Sequence, residues 1–562
     1  MRPCPIGTAL ILLLTIAAGA DGAAPAKSGR AAASPAVALD GKQFPGLDDR
    51  WLEIATGEFR VLSNAPRKRV VGAIDNLQAF RAVLGSFLPA LRQAPRRQTI
   101  VYLFDGSREF RVYATDAKNV IGFFASRPEA NYIAVDGNTQ NPYATVFHEY
   151  VHYLLRNNVP TLPLWLNEGL AEYFEGFRTR KGHGEFGGDL GWGQYLATHD
   201  WLDYGEVLTA GGSSRLYRDP ALSARFRGQA WALTHLLYDA SNRPLLIATM
   251  QALSQGVDSR QAVLSSLGIT AGQLEPMVRS HLRKVVQQTR LVELRSLPIA
   301  PTPEPREIPR VEVLTRLAQL LAIRPTDDRA AQAHLLLDEV LRPSRELTPA
   351  LVTRARLRIL GGDTGDETPE LLDEAIALDP TGPDAYYLRG GVYLDRSGEP
   401  DTGLSTAVSA NDALELARDD YRTVLRLDPN YREATNQLAH TYLFDRATAP
   451  LGIELAQGEL RQGPHLFLAV TLMELYARVG DRDSARRVHD EMISRWLDAL
   501  AEGDPTRLLK AIDRTDVLVA RAWMEDGRCG EARELLKDAA RRTAHEDLRT
   551  ELRSLVDGLG DC

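Results

Sequence analysis

Prolines at positions 298, 301, 303, 305 and 309 crowd into the short segment 296–309. Each ring fixes φ and removes a backbone donor, so this segment can extend neither a helix nor the middle of a sheet. It reads as a semi-rigid spacer over residues 291–310. The chain is therefore predicted to hold two bodies, residues 41–290 and 311–562. In the first body, strand signals precede helical ones. In the second, every segment reads helical.

The N-terminus carries a targeting pattern. Arg2 precedes the apolar stretch Ile6–Ala18, and Ala18-Gly19-Ala20 fits a small-x-small cleavage site. Residues 1–20 are predicted to be a signal peptide and 21–40 an Ala/Ser/Gly-rich flexible linker. No later run reaches the roughly 18 apolar residues of a membrane helix. These features predict an exported protein, periplasmic or extracellular, without an integral membrane segment once the signal is removed. Of three cysteines, Cys4 departs with the signal, leaving Cys529 and Cys562 able to form one disulfide in an oxidising compartment. A net charge of -8 without a Lys/Arg cluster argues against nucleic-acid and anionic-membrane partners.

Within the first body, Trp51–Ala55 and Phe59–Ser63 read as strands around a Thr56-Gly57 turn. Apolar residues at helical spacing run from Arg67 to Leu91, and strands are predicted at Thr99–Phe104 and Asn131–Val135. Asn141-Pro142 reads as a helix cap with proline in the first turn, opening a helix from about Tyr143 to Arg156. Pro163 opens another through about Phe177. Residues 182–193 read as a glycine-rich loop, and Phe226–Asp239 and Pro244–Leu253 as later helices. The predicted fold is α+β.

The first of the two adjacent helices contains His148-Glu149-Tyr150-Val151-His152. Residues four apart share a helix face, so both imidazoles can reach one ion. Zinc commonly takes a third protein ligand and leaves one position open in catalytic sites. Glu149 lies beside the metal rather than on it, where it can take a proton from an attacking water and pass it to a leaving amine. The second helix, Trp165-Leu166-Asn167-Glu168-Gly169-Leu170-Ala171-Glu172-Tyr173-Phe174-Glu175, supplies a carboxylate 16 residues after His152. Glu172 and Glu175 share a face with Glu168. Burying three unpartnered carboxylates is too costly, so Glu172 either orients a ligand histidine or faces solvent. Asn167 reads as a packing or capping residue.

The pair HEYVH and WLNEGLAEYFE resembles the gluzincin zinc metallopeptidases, especially their aminopeptidase-like branch and the bacterial peptidase MA-like family. The resemblance implies a gluzincin-like metallopeptidase domain with Glu168 as third zinc ligand beside His148 and His152. It extends loosely over residues 50–285. Gluzincins place a Tyr or His downstream to donate to the developing oxyanion. Here the residues ahead of Gln229 are Phe226-Arg227, which leaves Tyr217, Arg227 and His235 as candidates. The aminopeptidase segment that anchors a substrate amine has no counterpart upstream of His148, which favours an endopeptidase.

Beyond the spacer, Leu-Asp-Pro recurs at 378–380 and 427–429, each time closing an amphipathic helix. These segments resemble tetratricopeptide (TPR) repeats, with an insertion around Ser397–Asn411, and imply an all-α TPR-like domain that recruits a protein. Two functions follow. One is a zinc peptidase acting on peptide or protein substrates. The other is a metal-binding scaffold of weak turnover whose repeats mediate protein–protein interaction.

Overall fold

A computed structural model describes residues 39–558 apart from 92–96, 116–119, 140–141, 160–161, 213, 240–241, 286–288, 398–407, 464, 491–505 and 543–545. The signal-peptide assignment and nearly all of the 21–40 linker fall outside the described residues. Among the described residues no helix is long and apolar enough to cross a membrane. The chain divides into two compact units, one over Ala36–Arg316 and one from Leu317 onward.

The first unit is built on a six-stranded sheet: β1 (Leu52–Ala55), β2 (Phe59–Ser63), β3 (Thr99–Phe104), β4 (Gly122–Ser126), β5 (Asn131–Asp136) and β9 (Arg306–Glu307), in the order β4-β5-β3-β2-β1-β9. β1–β2 and β4–β5 pair antiparallel, whereas β2–β3 and β3–β5 are parallel. Parallel neighbours need crossovers. Helix α1 (Arg67–Phe87) supplies the first and α2 (Ser107–Tyr113) lies in the second. Every residue of β3 is buried, as expected of a strand covered on both faces. Val101 and Leu103 enter the main core with Ile74, Leu77 and Phe80 of α1. On the other face Phe104 packs against Trp51 and Tyr113.

Helices α3 (Ala144–Asn158) and α4 (Leu164–Glu175) follow the sheet. Phe147 of α3 stacks on Phe80 with ring centroids 4.1 Å apart, fixing α3 to α1. A three-stranded sheet of β6 (Arg178–Arg180), β7 (His183–Phe186) and β8 (Arg290–Glu293) comes next in space. Further helices are α5 (Trp192–Thr198), α6 (Tyr204–Thr209), α7 (Arg215–Arg218), α8 (Pro220–Tyr238), α9 (Arg243–Ser254), α10 (Ser259–Leu267) and α11 (Ala271–Val285). Gly169 of α4 faces α8 so closely that a Cβ there would lie 2.1 Å from Thr234 Oγ1 and 2.5 Å from the Ala230 carbonyl oxygen. Only glycine permits that approach.

Several sequence expectations are corrected. α1 ends at Phe87 rather than Leu91, because Pro89 cannot continue it. α3 begins at Ala144 without a side-chain cap, so Pro142 sits in a turn ahead of it; Asn141 lies outside the described residues. The glycine-rich segment 182–193 is not all loop. His183–Phe186 forms the central strand of the small sheet, paired on both sides. α8 begins at Pro220, where Asp219 caps it by accepting from the amides of Ala221 and Leu222. Finally, the proline-rich segment does not end the first unit. Arg306–Glu307 returns to pair with β1, carrying the boundary from 291–310 to Arg316.

The second unit is helical throughout its described residues. Leu378 and Leu427 each end a helix, at Glu367–Leu378 and Val408–Leu427, immediately before their Asp-Pro. Gly390 of Pro383–Arg396 admits the Tyr421 ring, where a Cβ would meet it at 3.0 Å. Arg389 and Asp420 join the same two helices through two hydrogen bonds of 2.9 and 2.7 Å. Cys529 opens the helix Cys529–Arg542 and is disulfide-bonded; Cys562 lies outside the described residues.

Candidate metal centre

Residues 146–155 of α3 are buried, packed between α1, β4 and α4. That burial carries His148, Glu149 and His152 inward with the apolar face. The i,i+4 spacing brings the two imidazoles together, with His148 Nε2 and His152 Nε2 3.0 Å apart. α4 runs alongside and inserts Glu168, which is fully buried. Its Oε1 lies 3.6 Å from His152 Nε2 and its Oε2 3.9 Å from His148 Nε2. Three donors about 2.0–2.2 Å from a tetrahedral ion would be separated by roughly 3.3–3.5 Å. The donor set is one that zinc takes, and the observed separations of 3.0 to 3.9 Å bracket that spacing.

The outer ring nitrogens fix the tautomers. His152 Nδ1 is 2.9 Å from Asn167 Oδ1, and His148 Nδ1 is 3.2 Å from Glu175 Oε2. Both acceptors call for a proton on Nδ1, which turns both Nε2 lone pairs toward the same point. Two lone pairs at 3.0 Å repel unless a cation or a shared proton lies between them. The point between the two Nε2 atoms, closed on a third side by Glu168, can thus take either a proton or a metal ion.

Electrostatics describe the same arrangement. Burial depresses the His148 pKa, but the Glu175 bond and the charges of Glu172, Glu175 and Glu149 outweigh it and raise it to about 10. Burial, partly opposed by Glu168, lowers His152 to about 4. Burial pushes Glu168 upward, yet Arg227, the imidazoles and the Tyr217 bond hold it at about 2. Glu149 is raised by burial first, and neither of its buried oxygens has a hydrogen-bond partner among the described residues. A buried carboxylate whose oxygens lack a protein hydrogen-bond partner is costly to keep for structural reasons alone.

Glu172 is placed second to Glu175. Its Oε1 is 3.9 Å from His148 Nδ1, and its Oε2 accepts from Trp192 Nε1 at 2.9 Å. Burial and the neighbouring Glu175 charge raise it to about 8. Asn167, expected to pack or cap, instead orients His152. Its position directly before Glu168 on the ligand helix was the available signal, as was Glu175 at i+7 for its own role.

Residues 142–257 match the model of a family described as "Protein of unknown function (DUF1570)". No curated protein matches the chain. A solved structure similar to it is that of a thermophilic TPR protein of Thermus thermophilus, with 17% identity and a TM-score of 0.20. That match covers 43% of this chain and 97% of the other, a likeness too low to inform the fold. The stretch matching the family model contains both helices of the candidate metal site and all three oxyanion candidates.

Those candidates separate in space. Tyr217 reaches the centre from α7, donating from its hydroxyl to Glu168 Oε1 at 2.9 Å. Arg227 of α8 places Nε 3.4 Å from Glu168 Oε2 and donates from Nη2 to the Tyr217 oxygen at 3.5 Å. α7 thus brings a tyrosine to the neighbourhood where α8 carries Phe226. His235 lies two turns beyond Arg227, about 12 Å along the axis. Its Nδ1 is 2.9 Å from His281 Nε2, and burial with His281 lowers it to about 4.

Proposed function

We propose that the protein is an exported zinc-dependent peptidase that hydrolyses peptide bonds within unstructured polypeptide. The observation that carries this reading is the convergence of His148, His152 and Glu168 beside a buried carboxylate, Glu149, whose oxygens have no hydrogen-bond partner among the described residues. The resemblance of the two helices to gluzincins supports the same chemistry. His148, His152 and Glu168 would hold the ion. When bound, zinc supplies Lewis acidity toward a carbonyl and a water acidified toward neutral pH.

The chain's own residues carry the proton traffic. Glu149 takes a proton from the attacking water as its oxygen bonds to the carbonyl carbon, and the carbonyl π pair moves onto oxygen. As the C–N bond breaks, Glu149 returns that proton to the amine. The products are a carboxylic acid, which then ionises, and an amine, with one water consumed. Glu175 and Asn167 hold the imidazoles in register throughout. The helical second unit would present the polypeptide or a protein partner.

One observation favours the alternative, a metal-binding scaffold of weak turnover. Tyr217 and Arg227 already engage both Glu168 oxygens, so this carboxylate is neutralised without an ion. Cleavage of unfolded casein by zinc-loaded wild type and Glu149→Gln separates the two. The peptidase reading expects cleavage by wild type only. Equal cleavage by both, or none by wild type, contradicts it.

A further inference from the structure

We propose that Arg227, rather than Tyr217, is the catalytic residue that receives the negative charge developing on the substrate oxygen, while Tyr217 is a positioning residue that holds Glu168. The proposal rests on the hydrolase reading above.

The argument is an account of donors. A phenol has one O–H, and that of Tyr217 is directed at Glu168 Oε1 at 2.9 Å. Turning it to a substrate oxygen would strip a hydrogen bond from a fully buried carboxylate, which is costly. Arg227 has five N–H donors. Among the described residues its hydrogen bonds and ion pairs are to Glu168 and Tyr217, with the Glu172 charge also acting on it: Nε near Oε2 at 3.4 Å, one Nη2 donor to the Tyr217 oxygen at 3.5 Å, and the Tyr217 ring 5.8 Å from its guanidinium carbon. At least two further donors remain for a ligand.

Access points the same way. The Glu168 side chain is 0% exposed and that of Arg227 21%, so solvent reaches Arg227 but not the carboxylate it faces. Geometry keeps it there. Gly228, the next residue, packs so tightly on Trp192 that a Cβ would meet the ring at 2.9 Å, and Gly169 locks α4 against α8. The arginine therefore reaches the centre from a fixed helix. When water adds to the carbonyl carbon, the displaced π pair becomes a full negative charge beside a permanent cation. As that pair returns to re-form C=O, the C–N bond breaks and Glu149 protonates the amine.

The test uses the full zinc-loaded chain and a phosphonamidate dipeptide, whose P–O⁻ mimics the oxyanion. Arg227→Gln should bind it about 100-fold more weakly, the scale of a lost oxyanion donor, without binding zinc more weakly. Arg227→Lys keeps the charge and should recover part of that loss. Tyr217→Phe should weaken zinc by about tenfold through Glu168, with phosphonamidate affinity restored by added zinc. Phosphonamidate binding by Arg227→Gln within threefold of wild type overturns the proposal. So does a loss in Tyr217→Phe that zinc saturation leaves equal to that of Arg227→Gln, or no binding by wild type. Wild type that binds the mimic through Arg227 but cleaves no casein overturns the peptidase reading alone.

Discussion

His148 and His152 face each other Nε2 to Nε2 across 3.0 Å, while their Nδ1 atoms turn outward to Glu175 and Asn167. The outward bonds leave both Nε2 atoms facing one point, where protonated His148 donates to His152 until an ion takes the place of that proton. Orientation of the imidazoles is therefore as much a part of the centre as their presence.

Removing an outward acceptor should loosen zinc while leaving the ligands intact. Asn167→Ala and Glu175→Ala are expected to weaken zinc binding by about 10–100-fold, the usual range for such partners. Glu172→Ala should fall short of both, since its oxygen is 3.9 Å from His148 Nδ1 against 3.2 Å for Glu175. Competition with a chromophoric chelator measures all three. An effect of Glu172→Ala larger than that of Glu175→Ala would reverse the assignment.

Zinc binding should release about one proton near neutral pH. Without metal, His148 is held protonated, raised from its ordinary 6.5 to about 10. A raised histidine adds stability that is fully present below about 6.5 and disappears as pH rises through about 10. Zinc needs the unprotonated nitrogen, so its affinity should climb roughly tenfold per pH unit between about 7 and 9. Calorimetry in buffers of differing ionisation enthalpy reads the proton directly. A pH-independent affinity would show that His148 is already neutral.

Glu149 should be a burden to the metal-free fold. Burial raises its pKa above 4.5, so the folded state disfavours its charged form and loses stability as pH rises past 4.5. Glu149→Gln removes that charge. Its metal-free form should melt above wild type at pH 8, by about 2–4 °C for each kcal/mol recovered. A lower melting temperature would indicate that the carboxylate is satisfied.

Gly169→Ala tests how the third ligand is carried. The added methyl must displace Thr234 Oγ1 and the Ala230 carbonyl, an overpacking typically worth about 1–3 kcal/mol. Melting temperature and zinc affinity should fall together because α4 carries Glu168. An unchanged melting temperature would mean that α4 and α8 are not in close contact there.

Local periodicity made much of this legible in the sequence. The i,i+4 histidines need only one helix to converge, and Pro142 marks its start to within two residues although it lies in the turn ahead of it. The sequence points to Glu172 as the orienting carboxylate, whereas Glu175 makes the His148 bond, because that depends on how α3 and α4 pack rather than on either helix. Tyr217 enters from the four-residue helix α7, too short to leave a period. β7 was obscured by glycines that weaken strand propensity, although β6 and β8 hold it on both sides. The pairing of Leu52 with Glu307 spans more of the chain than any local pattern can report, so the proline-rich segment reads as the end of a unit that it in fact completes.

The central claim is that His148, His152 and Glu168 hold one zinc ion. Elemental analysis of the full chain, refolded with zinc and freed of excess by gel filtration, tests it most directly. One zinc per chain is predicted for wild type and Glu149→Gln, and close to none for His148→Ala and His152→Ala. Full zinc occupancy in both histidine variants, or none in wild type, would contradict the account.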